Sequence, residues 1–251
     1  MHKQTRRLQA FYDAKAQDFS DTRKKPWPEF DYIIKTLKEQ FSPSDKFRIL
    51  ELWCWDGRLL ERLQKTFPNI SYTGVDISYN LLAIANENHP NARWVHKDMV
   101  SFLSEAEQET YDCIIAVASF HHLPHEPARL EALNGMYQSL SYDGICIMTN
   151  RCYSDRFKKK YKKEITQARR KVLWSLGYSD RHDIMVPWKW EDKTYHRLYH
   201  IFSPEELTRL IQRAGFTNIS NIYLDTTGKE TTREEEGRNL ITTMTKSIYQ
   251  E

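Results

Sequence analysis

The stretch FRILELWCWDGRLLERLQ, residues 47–64, decides the fold, because it joins a buried strand to a helix through a tight turn. Its apolar run at 49–52 is typical of a buried strand, and the leucines after the turn have helical spacing. A strand that turns sharply into a helix, with an acid such as Glu51 at its end, is a common way of holding a nucleotide-type ligand. The turn normally requires glycine, because its backbone adopts positive φ close to the ligand. Tryptophan stands at both expected glycine positions, Trp53 and Trp55.

The composition is that of a globular protein. The 251 residues, 40% hydrophobic and 28% charged, fit one large domain or one domain with an insertion. No apolar run approaches the ~20 residues of a membrane span. Residues 1–19 lack the apolar core of a signal peptide, so we expect a cytoplasmic protein. The four cysteines, at 54, 113, 146 and 152, lack metal-ligand spacing and are expected to be reduced and mostly buried.

Strands and helices alternate through the middle of the chain. The predicted strands are 48–53, 71–76, 93–96, 111–118 and 144–150, and the helices between them are 57–66, 78–87, 100–105 and 126–140. This alternation predicts an α/β fold with a parallel, doubly wound sheet of buried strands. Helices are also predicted at 6–19 and 29–40, and a further helix is expected to begin at the N-cap Ser203 and end at Gly215. β-like segments follow at 218–224 and 239–246.

The strand ends supply the candidate ligand-binding residues, because ligands of an open parallel sheet lie beyond the carboxyl ends of its strands. Asp76 ends the second strand and can accept both hydroxyls of a ribose. Asp98 and Met99 follow the third strand and are placed to meet the edge and face of an adenine. An aspartate after a strand is also often only the N-cap of the next helix, but candidates at four strand ends in order favour a ligand site. The candidate set is Glu51, Trp53, Cys54, Trp55, Asp56, Gly57, Asp76, Ile77, Asp98, Met99 and Ala116.

Two adjacent histidines follow the fourth strand. We expect no metal here, because no third ligand is evident and adjacent histidines suit one ion poorly. One of the two is interpreted as a packing or substrate-contact residue, and His121 is taken as the candidate contact.

Four segments of residues 45–150 follow one another as E-L-x-C-x-D-G-R, TGVDIS, HKDM and YDCIIAVASFHHL. In order and spacing they resemble the motifs of the class I S-adenosylmethionine-dependent methyltransferases, whose first motif is commonly E/D-x-G-x-G-x-G. The resemblance implies a Rossmann-like sheet of seven strands and S-adenosylmethionine as cofactor. The dinucleotide motif G-x-G-x-x-G would be absent even with glycine at both tryptophan positions.

A narrower resemblance rests on YDAKAQDFSDTRKKPWPEF at 12–30, with HHLPHEPARLEAL, VPWK and RLYHIFSPEELTRLIQRAGF further along. These segments look like those of the tRNA wobble-uridine carboxymethyl methyltransferases. The family implies methyl transfer to the carboxylate of a 5-carboxymethyl group on the wobble uridine of tRNA. Some members also imply a small zinc-binding partner subunit.

A carboxylate is nucleophilic at neutral pH, so this chemistry needs positioning in a dry site and no general base. Cations are expected to hold the carboxylate and the anticodon phosphates, and aromatic rings to stack on bases, although each ring could equally be ordinary core. The candidates are the cations Arg23, Lys25, Arg151, Arg197 and His200 and the rings Trp27 and Tyr199.

Residues 151–171 carry ten Lys or Arg against two acids. Such a run is either a solvated helix face or a contact for RNA phosphates. In the second case the contacts are Lys158, Lys159, Lys160, Lys162 and Lys163. We predict a single domain over 1–251, with an N-terminal helical segment at 1–44, a cofactor-binding core at 45–150, an inserted substrate cap at 151–202 and a return to the core at 203–251.

Two explanations compete for Trp53 and Trp55, whose indoles should project into or against the methionine part of the cofactor pocket. In the first, the chain has lost its cofactor and survives as a binding module. In the second, the gene uses UGA for glycine but is read with a code in which UGA is tryptophan. Eight glycines, seven tryptophans and an otherwise intact motif favour the second. A small-molecule methyltransferase is the alternative to one that acts on tRNA.

Overall fold

The computed structural model describes residues 3–22, 27–170, 182–190 and 193–247. Its α-helices are α1 (Lys3–Asp21), α2 (Pro28–Gln40), α3 (Arg58–Thr66), α4 (Tyr79–Asn88), α5 (Met99–Leu103), α6 (Glu126–Ser139), α7 (Asp155–Lys160), α8 (Lys162–Arg170) and α9 (Pro204–Arg213). The strands are β1 (Arg48–Leu52), β2 (Ser71–Asp76), β3 (Arg93–His96), β4 (Tyr111–Val117), β5 (Leu140–Arg151), β6 (Asp183–Trp190), β7 (Lys193–His200), β8 (Thr217–Leu224), β9 (Glu230–Thr231) and β10 (Asn239–Thr245).

The central sheet has the strand order β3-β2-β1-β4-β5-β10-β8-β9. Its first five strands run parallel, and β10 is antiparallel to both β5 and β8. The doubly wound α/β fold is therefore confirmed. The expected number of seven strands was wrong, because the two-residue strand β9 pairs with β8 and adds an eighth. The strand order reverses between β1 and β4, and this switch point is where such sheets hold their ligands.

Alternate residues of the central strands enter two separate cores. Leu50 of β1 and Ile114 of β4 belong to the core beneath α1, α4, α5 and α6, whereas Ile49 and Ile115 belong to the core beneath α2 and α3. Because both faces are covered, these strands read as continuous apolar runs. All four cysteines are buried and free, as expected.

Residues 151–202, called the cap below, begin with helices α7 and α8 and continue in an antiparallel hairpin of β6 and β7. A small apolar cluster joins the hairpin to these helices through Phe157, Ile165, Ile184 and Tyr199. The sequence analysis predicted an inserted cap over these residues but did not predict its hairpin.

The helix after the cap begins and ends as predicted. Ser203 is the N-cap of α9, where its hydroxyl accepts a hydrogen bond from the Glu206 amide at 3.2 Å. Gly215 follows with φ of 95°. Among the described residues, no helix combines the length and apolar character needed to cross a membrane.

Candidate active site

The turn after β1 alternates in backbone conformation. Trp53 and Trp55 both have φ of 60°, and Gly57 has φ of 75°. The amides of Trp53 and Cys54 donate to the Val75 carbonyl at 2.6 and 3.1 Å, and the Gly57 amide donates to the Cys54 carbonyl at 3.0 Å. These bonds fix a turn with the left-handed conformation at every second residue, which is the conformation that glycine adopts without steric cost.

Both indoles lie at the switch point. Trp53 follows β1 and stacks at 5.3 Å on His122, which follows β4, so the two rings together bridge the crevice between these strands. The Trp53 Nε1 atom is buried without a hydrogen-bond partner. Trp55 packs 4.2 Å from Phe19 of α1 and 5.0 Å from Trp27, between ring centroids.

Two of the predicted strand-end acids, Glu51 and Asp76, lie beside the turn and are buried. Asp76 accepts hydrogen bonds from the amides of Trp55, at 2.9 Å, and Ser78, at 2.8 Å. Burial raises the pKa of Asp76 to about 6. The Tyr72 hydroxyl donates to Glu51, and burial raises the pKa of Glu51 to about 8. A carboxylate oxygen has two lone pairs, so Asp76 keeps acceptor capacity for a ligand hydroxyl.

Several other candidates have structural partners of their own. Asp98 is the N-cap of α5, accepting from the amides of the second and third helical residues, which is the alternative role given to it from sequence. Asp56 pairs with Arg58 at 2.7 Å. Burial raises the pKa of Asp56, but the hydrogen bond and charge of Arg58 outweigh it and lower the pKa below its usual value. Cys54, Ile77, Met99 and Ala116 are buried in the core.

A cavity of about 560 Å³ opens beside the turn, between the end of β4, α1 and the cap. Ala118 lines this cavity, and the predicted Ala116 does not, because it lies inside β4 and faces the core. Cations dominate the charged lining, with Glu236 as the single acid among the described lining residues. The cations are Arg151, Arg156, Lys160, Arg197 and Arg238.

Arg197 is a buried cation in this cavity, with 7% of its surface exposed. Its guanidinium lies 4.4 Å from the Trp188 ring centroid and 5.2 Å from that of Tyr199, and it donates to the Tyr12 hydroxyl at 3.3 Å. Its Nε atom has no partner, and no carboxylate of the described residues forms an ion pair with it. Because a buried charge without a counter-charge is costly, the arrangement favours an anionic ligand.

The cavity is lined by His122, whereas the predicted contact His121 is buried next to it. Both belong to a single 3-10 turn, in which consecutive side chains point in different directions, so only one faces the cavity. His122 Nδ1 is 2.7 Å from the Leu198 carbonyl oxygen. Burial is the main cause that lowers the pKa of His122 to about 3, and the positive charge of Arg197 adds to it. The imidazole is therefore neutral.

His200, predicted as a substrate contact, does not line this cavity. Its Nδ1 is 2.6 Å from Asp183 and its Nε2 is 2.8 Å from Glu206, away from the cavity lining. Strand alternation explains this, because Arg197 and Tyr199 share one face of β7 and residue 200 takes the other. Burial lowers the pKa of His200, but its two carboxylate partners raise it above the usual value.

Among the described residues, one group of side chains in this region has a geometry that could hold a metal ion. The ligand atoms of His182, His200 and Glu206 lie within 4.8 Å of one another. A protonated His200 already accounts for its two short contacts with carboxylates, so the geometry is explained without an ion.

The remaining predicted contacts are distributed around the cavity. Trp27, Tyr199 and Arg151 line it, and their contact with a substrate stays a prediction, whereas Arg23 and Lys25 lie outside the described residues. Of the five predicted RNA-binding lysines, Lys160 reaches the cavity and Lys158 pairs with Asp155 at 3.5 Å. The exposed members are Lys159, Lys160, Lys162 and Lys163.

Sequence reasoning missed several lining residues, among them Tyr12, Arg156 and Trp188. The alternation of side chains in β7 was an available signal for Trp188. It places Arg197 and Tyr199 on one face of β7, and Trp188 lies on β6, the strand paired with it. Tyr12 is the first residue of the segment 12–30 that carries the narrower family resemblance, but strand alternation could not place it, because α1 reaches the cavity through its packing on the sheet.

Comparison with known proteins gives consistent results. A family model described as a methyltransferase domain matches residues 5–221. The tRNA (carboxymethyluridine(34)-5-O)-methyltransferase of Schizosaccharomyces pombe is 26% identical over 218 residues, which cover 84% of this chain and 89% of that protein. The malonyl-[acyl-carrier protein] O-methyltransferase of Bacillus cereus is 34% identical over 119 residues, 47% of this chain and only 42% of that protein. The crystal structure of an S-adenosylmethionine-dependent methyltransferase from Methanosarcina mazei aligns with a TM-score of 0.65 at 14% identity, covering 85% of this chain and 98% of that one.

The doubly wound sheet, with buried acids at its strand ends and a cavity above its switch point, defines a class I methyltransferase fold. The chain belongs to the methyltransferase-domain family. It is an S-adenosylmethionine-dependent enzyme of that family.

The site fits this cofactor only in part. Glu51 and Asp76 stand where acids are needed, but the turn that should let the backbone approach the ligand carries two indoles. Trp53 fills the crevice between β1 and β4, and Trp55 lines the cavity beside it, where its ring packs on Phe19 and Trp27. With both indoles in place, the loop does not fit S-adenosylmethionine.

Proposed function

We propose that this enzyme methylates a carboxylate oxygen, and that the carboxylate belongs to a 5-carboxymethyl-type uridine at the wobble position of tRNA. The observation that carries the proposal is the buried Arg197, which lines the cavity without a carboxylate partner among the described residues. A guanidinium presents paired N–H donors that match the two oxygens of a carboxylate. The substrate would therefore supply the missing negative charge.

The rest of the lining suits a planar base that carries this carboxylate. Trp188, Tyr199 and Trp27 offer ring faces for stacking on a uracil. His122 is neutral, so it adds no second positive charge beside Arg197. Since a carboxylate is already ionised at neutral pH, these residues need only orient it and exclude water.

Recognition of tRNA is supported by two further observations. Similarity to the S. pombe tRNA enzyme extends over most of the chain, whereas similarity to the B. cereus enzyme covers about half. In addition, Lys160 connects the cationic cavity to the exposed lysines of α7 and α8. Cations in this position would neutralise phosphates on either side of the modified base. The proposal includes a cytoplasmic location and a small zinc-binding activator subunit, both carried over from sequence.

A malonyl group on a carrier protein is the second candidate, because it also ends in a carboxylate that Arg197 would hold. The relative from B. cereus favours it. The two substrates differ in what surrounds the carboxylate, since only the nucleoside uses the aromatic faces and only tRNA uses the lysines.

The test compares binding of the nucleoside 5-carboxymethyluridine with that of its uncharged amide, using the chain and Arg197→Met. Binding of the acid should exceed that of the amide by tenfold or more, about 1.4 kcal/mol, and Arg197→Met should remove this preference. Lys163→Met, an exposed cation outside the cavity, is the matched control and should keep it. Equal affinities for acid and amide in the parent chain would contradict the proposal.

Methyl transfer separates the two substrates. The chain with glycine at 53 and 55 should transfer a labelled methyl group from S-adenosylmethionine to tRNA that carries 5-carboxymethyluridine. Transfer to malonyl-carrier protein but not to tRNA would establish the second candidate.

A further inference from the structure

We infer that residues 53 and 55 are glycine in the functional enzyme, and that the two indoles written there occupy the place of the cofactor. The backbone is the first evidence. Residues 53, 55 and 57 all have positive φ between 60° and 75°, yet only Gly57 is glycine. The chain thus retains the conformation of a loop with glycine at every second position, although two of the three side chains do not suit it.

Tryptophan is poorly compatible with this conformation. The left-handed region costs an L-residue roughly 1–2 kcal/mol, and for bulky side chains it is a genuine outlier. Four other described non-glycine residues have positive φ. Two of these, Asp143 and Asn218, are of the short polar types that tolerate it. Two tryptophans within three residues therefore require a special explanation.

The surroundings of Trp53 differ from those of an ordinary buried tryptophan. The partly buried Trp94 indole, in contrast, donates from Nε1 to the His89 carbonyl at 3.1 Å, which is how a tryptophan N–H is usually satisfied. Trp53 is 3% exposed, and its Nε1 has no partner. An unpaired buried donor is costly. The site thus encloses the Trp53 ring but provides no acceptor for its N–H.

The remainder of the loop keeps its close backbone packing. A Cβ at Gly57 would lie 2.7 Å from the Trp94 ring, and one at Gly74 would lie 2.7 Å from Cys54 Sγ. Glycine is therefore retained at both of these close contacts. The loop departs from glycine only at positions 53 and 55, and both carry tryptophan. A single difference in decoding accounts for both, if UGA specifies glycine in the source and has been read as tryptophan.

The gene provides the first test. Codons 53 and 55 should both be UGA, and the peptide that contains them, isolated from the source organism, should have the mass of the glycine form. Trp94, which has an ordinary strand conformation and a bonded indole, serves as the internal control and should be encoded by UGG. A UGG codon at 53 or 55, or a native peptide with tryptophan there, would overturn the inference.

Cofactor binding provides the second test, measured by calorimetry with S-adenosylmethionine alone. Trp53→Gly with Trp55→Gly should bind at least tenfold more tightly than the chain as written. The double alanine variant should fall between them, because it empties the crevice but keeps a Cβ at positive φ. Equal affinity of the written chain and the double glycine variant would overturn the inference.

Glu109→Gly is the matched control for relief of backbone strain. Glu109 has φ of 53°, is not one of the residue types that tolerate it, and lies exposed and distant in sequence from the loop. Its replacement should leave cofactor affinity unchanged, and a comparable gain from it would overturn the inference, because the gain would then not arise from emptying the crevice. These measurements use no tRNA, so their failure is distinguishable from failure of the proposed substrate.

Discussion

Glu51 shows how strongly the buried end of β1 affects a single ionisable group. The side chain is 3% exposed, and burial raises its pKa to about 8. The Tyr72 hydrogen bond works in the opposite direction, while the negative charges of Asp56 and Asp76 raise the pKa further. At neutral pH this acid is therefore mostly protonated, and a neutral carboxyl group can both donate and accept at the site.

This protonation makes the free energy of unfolding depend on pH. Between the ordinary pKa near 4.5 and the folded value of about 8, the folded chain holds a proton that the unfolded chain has released. The contribution to stability is thus present at low pH and is lost as pH rises through 8, by at most about 1.4 kcal/mol per pH unit. Glu51→Gln should flatten this dependence in urea unfolding.

The effect should be clearest above pH 6, where Asp76 has also lost its proton. The exposed Glu39→Gln serves as the control and should leave the slope unchanged. Parallel curves for Glu51→Gln and the parent would show that Glu51 is ionised in the folded chain.

The hairpin of β6 and β7 is attached to the fold by a buried charged network. Asp183, the first residue of β6, is 3.1 Å from Arg129 of α6 and 2.6 Å from His200, the last residue of β7. His200 in turn contacts Glu206 of α9 at 2.8 Å. These contacts fix the first residue of β6 and the last residue of β7, and they thereby hold the face of β7 that carries Arg197 in place.

Asp183→Ala should lower the free energy of unfolding by about 3–5 kcal/mol, because it leaves Arg129 and His200 buried without this carboxylate. Asp155→Ala removes an acid from an exposed ion pair with Lys158 and should cost less than about 1 kcal/mol. Urea denaturation measures both. Similar small losses would indicate that the network contributes little to stability.

The elements of the core could be predicted closely from sequence, whereas the direction of site side chains could not. Strands β2 and β3 have the predicted bounds, because apolar runs buried on both faces leave little ambiguity. Three predicted placements differ from the cavity lining, which has His122 and Ala118 where His121 and Ala116 were expected and does not include His200. Each depends on which side of a turn or strand faces the cavity, and this is decided by packing between distant segments.

At the scale of the whole molecule, positive charge is concentrated around one opening. The cationic lining of the cavity continues through Lys160 into the exposed lysines at the junction of α7 and α8. A polyanion whose modified base enters the cavity would lie across these residues. If the proposed function is right, this surface contacts a substrate much larger than the group that is methylated.

Replacing Lys158, Lys159 and Lys160 by alanine should weaken tRNA binding and reduce its dependence on salt. For every phosphate that is no longer neutralised, the log–log slope should become shallower by about 0.7–0.9. The control replaces the exposed Lys38, Lys46 and Lys65, which lie near α2 and α3, and should retain the parent slope. Parallel salt series for the parent and the first variant would assign the lysine run to a solvated helix face.

The aromatic cluster around the loop also has an optical consequence. Trp27 and Trp55 are held 5.0 Å apart with their ring planes at 87°, and Trp53 is stacked on an imidazole. Two indoles in such a fixed, asymmetric arrangement couple their electronic transitions and give a circular dichroism signal in the near ultraviolet. The chain with tryptophan at 55 therefore carries a coupled chromophore pair at its switch point, whereas the glycine form keeps Trp27 alone and lacks this coupling.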